Sequence, residues 1–218
     1  MMRVSTALTR RCGMRIESIV NALEENTYVL DVGPDVLILD PGSNTQALMR
    51  TLETIGKAPT AVLLTHGHID HISGLNRLLQ VHDVPVWIHE ADAPMLHDPA
   101  LNLSKQLGNH FKVSETADIR TFNEDTVLDI GLLRVTVFTT PGHTPGGVCY
   151  ALEGVVFSGD TLFKRSVGRT DLPGGSVRAL QRSLRKLMRA LPPDTKVLPG
   201  HGPSTMLRNE QRDNPYLI

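Results

Sequence analysis

The fold is decided by Ala61-Val62-Leu63-Leu64-Thr65, an apolar run that ends abruptly at His66-Gly67-His68-Ile69-Asp70-His71. Such a run is typical of a strand that is buried on both faces. In the extended stretch after this strand, residues two apart point the same way, so the first two histidines can share one metal ion. The aspartate and the third histidine begin a helix and can turn toward a second ion nearby. Imidazole and carboxylate groups suit zinc, iron or manganese, so the stretch predicts a metal site at the end of a buried strand.

Three more potential ligands stand at the same kind of place, just past an apolar run and next to glycine. They are His143 after the predicted strand 132–139, Asp160 after 155–158, and His201 after 196–198. If these strands share a sheet edge, the groups converge on one rim, where layered sheet proteins favour binding sites. The alternative is a set of surface or capping residues, and Asp70 does stand where a helix N-cap could be.

Supporting roles are predicted for two further histidines and for Asp40. His89 follows a predicted strand and could line the cleft, but a structural or surface role is the expectation for it and for His110. Asp40, in Leu39-Asp40-Pro41-Gly42, also ends a predicted strand. We predict that it orients a ligand histidine from behind. The alternative is an aspartate that only shapes a turn.

The order of the other elements predicts two sheets packed face to face with helices outside. Strands are predicted at 14–20, 27–31, 36–40, 61–65, 84–88, 127–130, 132–139, 148–152, 155–158 and 196–198. Helices are predicted at 45–55 with Asn44 as N-cap, at 72–81, and after Ser176, with a buried stripe of Val177, Leu180, Leu184, Leu187 and Leu191. Residues 90–118 are predicted to be irregular and mostly helical.

Composition argues against several classes of function. The net charge is -1 and no long basic run is present, so binding of nucleic acid is not expected. No apolar stretch approaches the roughly 20 residues that a membrane span needs, so no membrane association is expected. Two cysteines do not make a disulfide framework, which favours a reducing compartment, and we predict a cytoplasmic protein.

The chain is predicted to form one domain, residues 14–218, preceded by an N-terminal extension, residues 1–13, without fixed structure. The extension carries arginine, serine and threonine and no acidic residue, so a transit peptide is the alternative.

Taken together, these residues resemble the metallo-β-lactamase superfamily over nearly the whole chain, from Met14 to Ile218. The resemblance implies an α/β fold of four layers, an αββα sandwich, with the metal site at one edge. It also implies two ligand sets and a bridging carboxylate, which are His66, His68 and His143 for the first metal ion, Asp70, His71 and His201 for the second, and Asp160 as the bridge.

Within the superfamily, stretches 65–71, 140–147 and 159–163 are most similar to glyoxalase II, hydroxyacylglutathione hydrolase. Full glyoxalase II carries a C-terminal helical domain that supplies glutathione-binding groups, whereas only residues 202–218 follow His201 here. Ser166-Val167-Gly168-Arg169-Thr170-Asp171 and the ending Asn214-Pro215-Tyr216-Leu217 resemble a short, single-domain group instead. The resemblance implies that Arg169 contacts a substrate carboxylate, and a structural ion pair with Asp171 is the alternative.

The activity that the resemblance implies is hydrolysis of a small-molecule thioester, S-lactoylglutathione or a related hydroxyacyl thioester. Two divalent metal ions, zinc first with iron or manganese as alternatives, would share a water and lower its pKa, so that hydroxide attacks the carbonyl carbon. Asp70 would help to orient the hydroxide. The thiolate is a good leaving group because its pKa is low relative to that of an alkoxide.

Other activities remain open. Persulfide dioxygenases are similar to glyoxalase II, also carry the Gly-Arg-Thr-Asp pattern, and hold one iron at positions resembling His66, His143 and Asp160. A lactonase or other ester hydrolase is a further alternative, and a non-catalytic scaffold is a third. A β-lactamase proper is not expected, because the well-known zinc enzymes of that kind often have arginine in place of His71 and cysteine in place of Asp160.

Overall fold

The structure is a computed structural model that describes residues 13–217. Its strands are β1 (Arg15–Val20), β2 (Asn26–Val32), β3 (Asp35–Leu39), β4 (Ala61–Leu63), β5 (Val86–His89), β6 (Ile119–Phe122), β7 (Thr126–Ile130), β8 (Leu133–Thr139), β9 (Val148–Leu152), β10 (Val155–Gly159), β11 (Leu162–Phe163), β12 (Ser166–Val167), β13 (Lys196–Pro199) and β14 (Thr205–Met206). Its α-helices are α1 (Thr45–Ile55), α2 (Ile69–Ile72), α3 (Leu75–Leu79), α4 (Val177–Ala190) and α5 (Leu207–Asp213), with 3-10 turns at Ala93–Leu96 and Ser104–Leu107.

Two six-stranded sheets form the centre of the fold. The first has the order β1-β2-β3-β4-β5-β6 and the second β14-β13-β10-β9-β8-β7. Their facing sides share one apolar core, which includes Leu30, Leu37, Tyr150 and Phe157. Helices α1 and α3 cover the outer face of the first sheet, and α4 covers the outer face of the second. The predicted αββα sandwich is therefore confirmed.

The two longest helices begin where the sequence predicts. Asn44 caps α1, since its side chain accepts a hydrogen bond from the backbone N–H of Ala47. Ser176 caps α4 in the same way. Leu180, Leu184 and Leu187 of the predicted stripe are buried, and Leu191 is partly buried just after the helix ends. The prediction for Val177 is wrong, because this residue is 59% exposed. A helical side chain covers the turn before its own Cα, and Val177 opens the helix with no such turn beneath it.

The predicted helix 72–81 is also wrong in its bounds, because the chain breaks it into α2 and α3. The break lies at Gly74, whose backbone N–H donates to the carbonyl oxygen of Pro41 at 2.8 Å. A Cβ at this position would overlap the carbonyl oxygens of Pro41 and Gly42. The loop after β3 therefore presses directly against the helix break, where only glycine leaves room.

Residues 90–118 are irregular as predicted but not mostly helical, since they contain only the two 3-10 turns. The side chain of Asn102 organises this segment. Its amide donates to the carbonyl oxygens of Met95 and Phe111, and its oxygen accepts from the backbone N–H of Ser104. Such side-chain bonds satisfy backbone groups without a helix. The sequence interpretation also missed the short elements β6, β11, β12, β14 and α5.

Among residues 13–217, none of the helices is both long and apolar enough to traverse a bilayer. Apart from Gly13, the predicted extension 1–13 lies outside the described residues.

Candidate metal centre

All seven predicted ligands lie at one edge of the sandwich, where strands of both sheets end. Their positions are His66 and His68 after β4, Asp70 and His71 on α2, His143 between β8 and β9, Asp160 after β10, and His201 after β13. Strands β10 and β13 are parallel, so the residues that follow them leave the second sheet at the same end. The first sheet supplies the other loop from β4.

The ligand atoms form three overlapping groups, within each of which all of them lie within 4.8 Å of one another. The groups are His66 with His68 and His143, Asp70 with His71 and His201, and Asp160 with His66 and His71. One oxygen of Asp160 is 3.4 Å from His71 Nε2, and the other is 3.5 Å from His143 Nε2. Asp160 therefore lies between the first two groups, as a bridging carboxylate must.

The unpartnered atoms of the site fit a metal centre. His66 Nε2, His71 Nε2 and Asp160 Oδ1 are buried and have no hydrogen-bond partner among the described residues. His68 faces the first group through Nδ1, which lies 2.9 Å from His143 Nε2. Leaving a buried polar atom unsatisfied costs about 1–3 kcal/mol, so three in one place require an explanation. Divalent cations held by these atoms would supply it, because imidazole and carboxylate are their usual ligands.

Asp40 and Thr65 fix the orientation of two imidazoles. Asp40 is buried and accepts hydrogen bonds from the backbone N–H and the hydroxyl of Thr65, both at 2.7 Å, and lies 3.0 Å from His71 Nδ1. Since the Thr65 hydroxyl donates to Asp40, its oxygen can accept from His66 Nδ1 at 3.1 Å. A proton on Nδ1 of each ring leaves Nε2 of His66 and His71 free for a metal ion.

Two other contacts with the backbone complete the support. His143 Nδ1 lies 2.7 Å from the carbonyl oxygen of Arg169, so the ring carries its proton there and turns Nε2 toward His68 Nδ1 at 2.9 Å. Gly200 lies against the second group, because a Cβ there would be 2.7 Å from His71 Cε1 and would overlap Asp160 Oδ1. The site thus depends on a close backbone approach that a larger residue at position 200 prevents.

The two groups of ligands differ in charge. Burial and neighbouring imidazoles hold the pKa of His66 well below its ordinary value and lower that of His68 to about 3. Burial also disfavours charge on His71, but Asp70, Asp160 and Asp40 together raise its pKa well above the ordinary value. His66 and His68 are therefore neutral at neutral pH, whereas His71 carries a proton in the second group.

The carboxylates of the site remain ionised despite their burial. Burial alone would raise the pKa of Asp70 and of Asp160, but His71 is the largest opposing influence and leaves both below their ordinary values. Burial would lower the pKa of His201, and its hydrogen bond with Asp70 raises it overall. The proton on His71 thus occupies the place in the charge balance that a bound cation would take.

Other residues singled out from the sequence lie apart from the ligands. The guanidinium of Arg169 is exposed and paired with Asp171, at 2.6 and 2.7 Å, so its contact with a substrate stays a prediction. His89 Nδ1 accepts from the backbone N–H of Ala91, its ring packs on Phe122, and it belongs to none of the three groups. His110 is exposed.

The sequence interpretation missed three buried polar residues around the site. Thr65 directly precedes the predicted ligand His66, and this position could have indicated its role. Glu25 is fully buried, and burial raises its pKa to about 9, with Asn21 donating to it at 2.7 Å. Asp92 is fully buried in the irregular segment. No local pattern marks either acid, because their partners are distant in sequence or come from turns.

Comparisons with known proteins agree with this geometry. The family model described as the metallo-beta-lactamase superfamily matches residues 20–201. A probable metallo-hydrolase of Bacillus subtilis, YqgX, is 38% identical over 91% of this chain and 94% of its own length. Hydroxyacylglutathione hydrolase GloC of Haemophilus influenzae is 31% identical over 94% of this chain and 98% of its own length.

Solved structures are similar over most of the chain. The B3 metallo-beta-lactamase BLEG-1 is 39% identical, with a TM-score of 0.88 over 94% of this chain and 100% of its own. TTHA1623, solved in a di-iron-bound form, is 37% identical, with a TM-score of 0.82 over 93% and 100%. ETHE1 from Myxococcus xanthus is 26% identical, with a TM-score of 0.70 over 93% and 84%.

Proposed function

The chain belongs to the metallo-beta-lactamase superfamily and is a metal-dependent hydrolase of that superfamily, and we propose that its substrate is a hydroxyacyl thioester such as S-lactoylglutathione. We further propose that it holds two divalent metal ions, with zinc as the first expectation. The di-iron-bound form of TTHA1623 makes iron the main alternative. Metal analysis of the purified protein distinguishes the two.

The observation that carries the proposal is the second ligand group. Asp70, His71 and His201 are present in addition to the three imidazoles of the first group, and Asp160 lies between the two sets. A dinuclear centre would need both sets, because each set would hold one of the two cations that together would activate water and polarise the carbonyl. A protein that uses one ion has no need for a complete second set.

The residues of the site contribute by holding the cations and by orienting the attacking water. When bound, divalent cations make hydroxide available at neutral pH and act as a Lewis acid toward the carbonyl oxygen. Asp70 is partly exposed and ionised, and its Oδ2 is 3.2 Å from His201 Nε2. It can accept a hydrogen bond from the attacking water and so orient it. The leaving thiolate needs no protonation by a side chain, since thiols are acidic enough to leave as anions.

The thioester class is supported by a relative of matching length. GloC of Haemophilus influenzae is named a hydroxyacylglutathione hydrolase, and this chain covers 98% of it. Glutathione carries two carboxylates, and Arg169 stands at the exposed margin of the loop that supports His143. We propose that Arg169 exchanges Asp171 for a substrate carboxylate. We also propose a cytoplasmic location, since the Cys149 thiol is free and buried.

A persulfide dioxygenase is the second candidate, because the Gly-Arg-Thr-Asp pattern at 168–171 resembles that class as well. It would need one iron at His66, His143 and Asp160, and these three residues do lie together. The two candidates differ in metal content and in the need for oxygen, so one set of assays separates them.

The test is hydrolysis of S-D-lactoylglutathione by metal-loaded protein, followed as release of free thiol. The expected result is turnover that a chelator and Asp160→Asn both abolish, while the exposed Asp129→Asn leaves it unchanged. A parallel reaction with glutathione persulfide is monitored for oxygen uptake. Oxygen uptake with glutathione persulfide, together with one iron per chain and no thiol release from S-D-lactoylglutathione, would overturn the proposal in favour of the dioxygenase. Turnover of a lactone or a cephalosporin alone would place the chain in another hydrolase class.

A further inference from the structure

Asp92 is a buried carboxylate that lies outside the seven ligands. It follows β5, where its backbone N–H donates to the carbonyl oxygen of His89 at 3.0 Å, and it precedes the 3-10 turn Ala93–Leu96. Its side chain has no accessible surface and does not cap that turn. Burial raises the pKa of its carboxyl, and a buried carboxyl is expensive unless it is hydrogen-bonded, so its partners indicate its role.

The partners of Asp92 all come from the two loops that carry the first ligand group. Its Oδ2 accepts from the hydroxyl of Thr144 and its Oδ1 from the backbone N–H of Gly146, both at 2.6 Å. Gly67 on the other loop lies against the backbone of the same residue, because a Cβ there would be 3.2 Å from the Asp92 carbonyl oxygen. Gly67 stands between His66 and His68, and Thr144 follows His143 directly. Asp92 therefore contacts both loops, the loop of His143 through its carboxylate and the loop of His66 and His68 through close packing.

Two glycines, one on each loop, pack closely against residues 92–95. A Cβ at Gly67 would lie 2.6 Å from Met95 Cβ and 3.2 Å from the carbonyl oxygen of Asp92. A Cβ at Gly146 would lie 2.7 Å from the backbone nitrogen of Asp92 and 2.8 Å from its Cγ. Both loops thus approach the residues 92–95 so closely that no side chain fits. The hydrogen bonds and the packing fix the same relative placement of the loops.

We infer that Asp92 is a positioning residue that sets the spacing of the three imidazoles of the first metal site. It holds the loop of His66 and His68 against the loop of His143 without touching the metal ion. In the first ligand group, His68 Nδ1 and His143 Nε2 are 2.9 Å apart, and they belong to the two loops that Asp92 joins. The inference concerns metal binding and does not depend on which substrate the protein hydrolyses.

The experiment is a titration of metal-free protein with Co²⁺, read by the visible absorption of the bound ion and by competition with a chelator. Thr144→Val removes one hydrogen bond to Asp92, and Thr144→Ser retains it. Asp92→Asn keeps the shape but turns a donor toward the loop N–H groups. A matched control is Asp98→Asn, an exposed aspartate of the same segment that accepts from the backbone N–H of Ala100. His201→Ala identifies the absorption of the first site.

For Asp92→Asn and Thr144→Val, we expect the affinity of the first site to fall by about 10- to 100-fold and its absorption bands to change. The second site, Thr144→Ser and Asp98→Asn should behave as the wild type does. Both first-site variants keeping the wild-type affinity and spectrum would overturn the inference. A Thr144→Val protein that has a lower melting temperature but unchanged metal affinity would also overturn the inference, since a purely structural role predicts that result. If Asp92→Asn does not fold, the Thr144 pair decides alone.

Discussion

Replacing Asp40 by asparagine should weaken both metal sites through the tautomers of their histidines. The carboxylate faces only donors, which are the backbone N–H and hydroxyl of Thr65 and the Nδ1–H of His71. An asparagine has one acceptor oxygen and one donor group. If the oxygen keeps the backbone N–H of Thr65, the amide –NH₂ faces the Thr65 hydroxyl and His71 Nδ1. His71 then favours the tautomer with its proton on Nε2, the atom that a metal ion needs.

The size of the effect follows from one buried mismatch at each ring. When His71 returns to the tautomer that binds the metal ion, its Nδ1–H faces the side-chain –NH₂ of the new asparagine. Position 40 is buried, so this contact between two donors costs about 1–3 kcal/mol. At about 1.4 kcal/mol per factor of ten, that range corresponds to a loss in affinity of about 5- to 150-fold, which includes the usual effect of removing such a supporting group, about 10- to 100-fold. His66 is affected through Thr65, because the rotated hydroxyl donates to Nδ1 instead of accepting from it.

The assay is the affinity of each site for Zn²⁺ in competition with a chromophoric chelator. Asp40→Asn should weaken both sites, whereas Thr65→Val should weaken the site of His66 more than that of His71. Asp129→Asn, an exposed aspartate paired with Arg134, is the control for loss of one charge. A folded Asp40→Asn protein that binds two ions with wild-type affinity would refute the tautomer argument.

Three further predictions concern pH, packing and substrate. Lowering the pH from about 8 to about 6 should weaken metal binding at the second site by about tenfold per pH unit for each proton displaced, because the pKa of His71 is raised and the metal ion must displace its proton. His68 has a pKa of about 3 and no proton to lose in this range. Calorimetry in two buffers measures the protons released. Gly200→Ala should abolish binding of the second ion, seen as about one metal per chain by elemental analysis, because its Cβ would overlap the ligands. Arg169→Ala should raise KM for S-lactoylglutathione by about tenfold with kcat unchanged, as expected for loss of one partly exposed charge contact; an unchanged KM would assign the guanidinium to Asp171 alone.

The fold could be predicted because its decisive signals are local. The run before His66 has the length and composition of a buried strand, and β4 does occupy it. The polar residues Asn44 and Ser176 mark helix starts because a cap needs only the next three residues. The ligands were placed by the same logic, since each follows a predicted strand and sheet edges bring strand ends together.

The features that escaped prediction depend on contacts between distant residues. The role of Asp40 was predicted, but that of Thr65, which donates to Asp40 from 25 positions away, was not. Asp92 and its partner Thr144 are 52 positions apart. Nothing in the sequence around Asp92 distinguishes it from an exposed aspartate of a loop. The break at Gly74 is equally invisible locally, because its cause is the carbonyl oxygen of Pro41 on another loop. Tertiary contact overrides the helical pattern there.

The difference between the two ligand groups gives the centre an order of assembly. In the first group, His66 and His68 are neutral, so an ion that binds them does not have to discharge either ring. In the second group, His71 is protonated, and its positive charge offsets part of the negative charge of Asp70 and Asp160. An ion already bound in the first group raises the electrostatic cost of that proton, because like charges close together disfavour each other. Loading of the first site should therefore promote release of the proton from His71. The same event frees Nε2 for the second ion, so proton release and completion of the centre are one step.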